Sequence, residues 1–147
     1  MTYQHDPETP LTMRDWRHAA ADIAFSTALG EDTCERNCLV RLVLLLANHP
    51  AAKFVDVVAD VAPMIEARAY ASAALSLIEP HASYLLSSPV DGFCMATVVL
   101  RDSTEEHHAE GATASIALVG SFAAALAGTH CMHKPDSSPE SQTFHIN

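Results

Sequence analysis

The densest run of chemistry-bearing side chains is Glu105-Glu106-His107-His108, with Glu110 two residues beyond. Imidazole and carboxylate are suitable ligands for zinc and other divalent metals, and they also serve acid–base catalysis. Spacing limits what this run can do. Successive side chains on a strand point to opposite faces, so His107 and His108 cannot hold one ion there. One parity set, Glu106, His108 and Glu110, shares a face and is the candidate ligand set. An exposed polar loop or edge strand accounts for the same residues without a metal, and it is the simpler reading.

A second cluster is His130, Cys131 and His133, in which His130 and His133 could supply two ligands from a turn. Both also follow the end of an expected helix, where a protonated imidazole is favoured by the helix dipole and needs no metal. A helix over residues 113–127 would span roughly 22 Å, placing the two clusters at its opposite ends unless an antiparallel dimer brings them together. Cys34 and Cys38 stand four apart on one helical face, which is not zinc-ribbon spacing, and they read as small core residues. Ser121 lies between Gly120 and Phe122 within a helix and lacks a nucleophile elbow. With five glycines in all, the chain has little material for a phosphate-binding loop. His18 and Asp22 form an ordinary i, i+4 surface pair. No motif specifies an enzyme, and no cofactor is implied beyond a divalent metal such as zinc at the Glu/His run.

Composition narrows the partners. Eight Lys+Arg against eighteen Asp+Glu give a formal net charge of −10, with no basic cluster for a phosphate backbone or an anionic bilayer. The most apolar run, Leu39 to Ala47, is nine residues long and contains Arg41, whereas a membrane span needs about twenty. Residues 1–10 are polar and acidic where a secretory leader would be basic, so the expected location is cytoplasmic. Charged residues make up 18% of the chain, below the roughly 25% usual in soluble domains, and 25 alanines fill much of the gap. A surface so poor in charge is expected to be covered in part by a second copy, most simply as a dimer.

The elements that must carry these residues follow from periodicity and punctuation. Residues 1–10 read as a flexible arm ending in a Thr9-Pro10 helix start. A helix then runs to about Leu29 with a core stripe of Trp16, Ala20, Ile23, Ala24 and Thr27, and Gly30 ends it. Asp32 and Glu35 have the spacing of a capping box for a second helix through Ala47. Within it Arg41 must be paired or reach solvent, with Asp22 among its candidate partners. Phe54, Val57, Val58, Val61 and Ile65 make one stripe of a third helix. Pro63 kinks that helix or starts a new one, which continues from Met64 to Ile78.

After Glu79-Pro80 the character changes. Residues 83–88 and 93–101 read as a β-hairpin around Pro89-Val90-Asp91-Gly92, and 102–111 as a third strand or a loop. A last helix spans Thr113 to Gly128, apolar or small on nearly every side. Its Gly120, Ala124 and Gly128 recur four apart, a stripe that lets another backbone approach closely and is the candidate self-association interface. Residues 134–147 read as a disordered tail.

The expectation is an α+β domain over residues 11–133, with about four to five helices packed on a small antiparallel hairpin or three-stranded meander. The expected function is an acidic protein–protein interaction or regulatory module without catalysis of its own. Two alternatives stand beside it. One is a metal-dependent or acid–base enzyme using the loop at 105–110. The other is a binding protein for a small apolar ligand enclosed by Trp16, Phe25 and the 39–47 helix.

Overall fold

The computed structural model describes residues 11–30, 34–88 and 92–128. The expected arm at 1–10, the Thr9-Pro10 start, Asp32, most of the hairpin loop, His130, His133 and the tail at 134–147 lie outside the described residues. Those that are described form six helical segments and three strands. In chain order they are α1 (Met13–Ala28), α2 (Glu35–Ala47), α3 (Val55–Ala59), α4 (Ala62–Glu66), α5 (Tyr70–Ile78), β1 (Ala82–Ser87), β2 (Cys94–Leu100), β3 (His107–Gly111) and α6 (Ala114–Ala127). The architecture is α+β and mostly helical, as expected.

The hairpin and the third segment pair into one antiparallel sheet in the order β1-β2-β3. Its register sets Leu86, Ala96 and Ala109 side by side, with Tyr84, Val98 and His107 in the next row. These rows face the helices, and Ala96 and Val98 are fully buried there. The alternate rows, with Leu85, Met95, His108 and Glu110, face outward.

Helix α6 occupies the centre. It packs on β2 and β3 on one side and on α1 on the other, with α2 and α5 closing the remaining angles. Every residue from Ser115 to Ala123 is buried, which is what a helix apolar on all sides requires. Thr113 caps it by accepting from the Ile116 amide, and Gly128 ends it in the left-handed conformation that glycine tolerates best. Its buried hydroxyls are satisfied: Ser121 donates to the carbonyls of Ala117 and Leu118, and Ser115 donates to the Glu35 carboxylate at 2.5 Å.

Two local expectations are corrected. Glu35 does not act as the acidic member of a capping box. It is the first residue of α2, after an exposed Cys34 N-cap whose side chain makes no capping bond, and its carboxylate ties α2 to the start of α6. The helix expected from Met64 to Ile78 is broken at Ala67-Arg68-Ala69. Arg68 takes φ +62°, while the Ala69 amide reaches the Met64 carbonyl and the Arg68 amide that of Ile65, a Schellman-type stop. The reason lies in phase. At 100° per residue, the buried pair Val61 and Ile65 would point nearly opposite to Ala73, Ala74, Leu77 and Ile78 on one continuous helix. Breaking the helix lets both sets face one core. Pro63, at the first turn of α4, starts a new helix.

Candidate functional site

The Glu/His run lies at the free edge of the sheet. His108 and Glu110 point outward from β3, and Glu106 precedes the strand, exposed like both of them. The Thr97 hydroxyl on β2 is 2.9 Å from His108 Nδ1, and the Glu106 carboxylate is 3.7 Å from His108 Nε2. This row orients an imidazole between a hydroxyl and a carboxylate, as an acid–base site would. It sits on an open sheet face, where water competes for every member. Among the described residues, no three His, Cys, Asp or Glu side chains converge to hold a metal, so Glu106, His108 and Glu110 are not assembled as a ligand set. Glu110 pairs across the strand with Met95.

The stripe on α6 is placed by the chain's own packing. A Cβ at Gly120 would stand 2.8 Å from Thr27 Oγ1 on α1 and 3.1 Å from the Ala109 Cβ on β3. The close approach that Gly120 permits is therefore made by α1 and β3 of the same chain. Ala124 is half-buried against the core, and Gly128 is exposed at the helix end. Of the two helical cysteines, Cys38 is in the core and Cys34 is exposed, so only one matches the reading as core residues.

A cluster without any signature in the sequence joins α1 to the start of the sheet. Trp16 is buried, donates its indole N–H to the Leu45 carbonyl at 2.7 Å and stacks on Phe54. The His49 ring stands edge-on to both, at 4.6 Å from Trp16 and 5.3 Å from Phe54. His81 packs edge-on to Phe54 as well, at 4.6 Å. His81 Nε2 is closed off from solvent and has no hydrogen-bond partner among the described residues. Burial lowers both imidazole pKa values, with Lys53 adding to each and Arg101 adding to His81. These rings pack the connections after α2 and after α5 against the core, where burial disfavours their charged forms. Trp16 is thus part of the packed interior, whereas Phe25 points to solvent, so the two do not enclose an apolar cavity together.

A groove of about 320 Å³ lies between α1 and α2. Its floor is Ala19, Ile23 and Leu45, and Asp22, Arg41 and Leu44 stand at its walls. Helix α2 returns antiparallel along α1, as the contacts Trp16–Leu45 and Ser26–Arg41 require. Arg41 is half-exposed and donates from Nη1 to the Ser26 hydroxyl at 2.7 Å. Arg41 is thus both paired and open to solvent, as expected, its partner being a neutral hydroxyl where a carboxylate such as Asp22 was the candidate. Asp22 lines the same groove, and neither it nor Arg41 forms an ion pair among the described residues. Leu44 in the groove wall is 57% exposed, and elsewhere on α1 Phe25 is 56% and Leu29 61% exposed. No helix among the described residues is long and apolar enough to cross a membrane. Comparison with protein-family models, with curated proteins and with solved structures finds no match.

Proposed function

We propose that the protein is a small acidic interaction module that acts by self-association, and that the outer face of α1 and α2 is its docking surface. The observation that supports this reading is the apolar-floored groove between α1 and α2, with Leu44 more than half exposed in its wall and Phe25 and Leu29 more than half exposed elsewhere on α1. Single exposed apolar residues are ordinary, but an apolar concave surface on a pair of helices that leave several large apolar side chains exposed fits an interaction site. Fully burying each of three such side chains contributes roughly 1.5–3 kcal/mol, enough to offset part of the cost of association. The low charge content of the chain fits the same reading, because a covered face needs few charges.

The test is the mass of the full chain by light scattering across a concentration series, with Leu44→Asp as the variant. The expected result is a dimer that becomes a monomer of unchanged helix content on substitution. A wild type that stays monomeric at tens of micromolar, or a dimer indifferent to Leu44→Asp, overturns the assignment of this face.

A further inference from the structure

Resting on that reading, we infer that two copies meet about a two-fold axis with Asp22 of each chain opposite Arg41 of the other. Both charges line one groove with an apolar floor, and within the chain Arg41 turns to a neutral hydroxyl while Asp22 takes no cation among the described residues. A carboxylate and a guanidinium left unmatched side by side on an apolar surface are what a self-complementary contact needs.

The helix directions allow this arrangement. Helix α2 runs antiparallel to α1, and Asp22 and Arg41 line the same stretch of the groove between them. A two-fold rotation about an axis along the helices sets α1 of one copy over α2 of the other at that stretch, and an isologous contact then makes the Asp22–Arg41 pairing twice. Electrostatics bears on the same point. Each copy carries a formal charge of −10, so two copies repel overall. On this groove one acid and one base cancel, and they attract across the axis.

The experiment uses the full chain and reads the dimer dissociation constant by sedimentation or light scattering, with circular dichroism and melting as checks on folding. Asp22→Arg and Arg41→Asp each replace two attractions per dimer with two repulsions, and each is expected to weaken the dimer about tenfold or more. The double variant carrying both changes restores the complementary pattern and is expected to return close to the wild-type constant. Mixing the two single variants gives a second reading. One chain then carries two bases and the other two acids, so the mixture should form heterodimers more tightly than either variant pairs with itself.

A wild-type dimer that neither single variant weakens overturns the pairing and leaves self-association standing. Single variants that weaken the dimer without rescue in the double or in the mixture overturn it as well. A monomeric wild type removes the underlying reading. Should Arg41→Asp lower the melting temperature through loss of its bond to Ser26, the mixture, judged against each variant alone, still decides.

Discussion

Gly120→Ala tests whether the small residue of α6 serves the chain's own core. On an open helix surface this change stabilises by about 1 kcal/mol, because glycine has the greater backbone entropy to lose. Here the new methyl meets Thr27 Oγ1 at 2.8 Å and the Ala109 Cβ at 3.1 Å. Neither neighbour yields easily. The Thr27 hydroxyl is held by the carbonyls of Ile23 and Ala24, at 3.0 and 2.9 Å, and Ala109 is fixed in register opposite Ala96. Overpacking of this kind costs about 1–3 kcal/mol, so the net expectation is a loss of about 1 kcal/mol. In a domain of this size that lowers the melting temperature by roughly 3–4 °C. Removing the obstacle should reverse the sign. Thr27→Ala clears the hydroxyl, and the pair of substitutions should be more stable than the sum of the single effects by about 1–2 kcal/mol. Urea unfolding of the four proteins measures this coupling. If Gly120→Ala alone raises stability by the full helix-propensity gain, α6 does not press on α1 at this point, and the argument fails.

Two further expectations concern the connections around the core. His49 and His81 are held neutral mainly by burial, with Lys53 beside both. The unfolded chain takes up protons near the ordinary value of 6.5 while the folded chain resists, so stability should fall as the pH drops through that value. The melting temperature measured from neutral to mildly acidic pH should show this slope, and the His49→Phe/His81→Phe double variant should flatten it; an unchanged slope refutes the assignment. At Arg68, where φ is +62°, glycine relieves the left-handed strain, and Arg68→Gly should be neutral or stabilising by up to about 1 kcal/mol in urea unfolding, whereas a clear loss would show that the Arg68 side chain supports the fold.

Much of the framework was legible because each element carries its own local signal. Trp16, Ala20, Ile23, Ala24 and Thr27 are the buried residues of α1, as their spacing requires. The alternation around Thr97, Val98 and Val99 marked β2, and Thr113 and Gly128 marked both ends of α6. The break at Arg68 was readable in principle, since the stripe ending at Ile65 and the one beginning at Ala73 are out of phase. Residue type concealed it, because Glu66, Ala67, Arg68 and Ala69 are all compatible with a continuing helix. The cluster of Trp16, His49, Phe54 and His81 had no such signature. Its members are scattered along the chain, and only the folded arrangement brings two imidazoles edge-on to the same phenyl ring.

The same distinction applies to the small-residue stripe of α6. A stripe of small residues records that some backbone or side chain comes close, but it carries no mark of which chain that neighbour belongs to. At Gly120 the neighbours are Thr27 and Ala109 of the same chain, whereas Ala124 is half-buried and Gly128 is exposed. On α1 and α2 the side chains of Phe25, Leu29 and Leu44 stay exposed, and Leu44 lines the groove that Asp22 and Arg41 share. Arg41 had drawn notice as a charge within an apolar helix that needed a partner. The bond to Ser26 satisfies one of its nitrogens and leaves the charge itself unneutralised. A guanidinium in that condition, lining one groove with a carboxylate that takes no cation among the described residues, is the feature on which the proposed contact between copies rests.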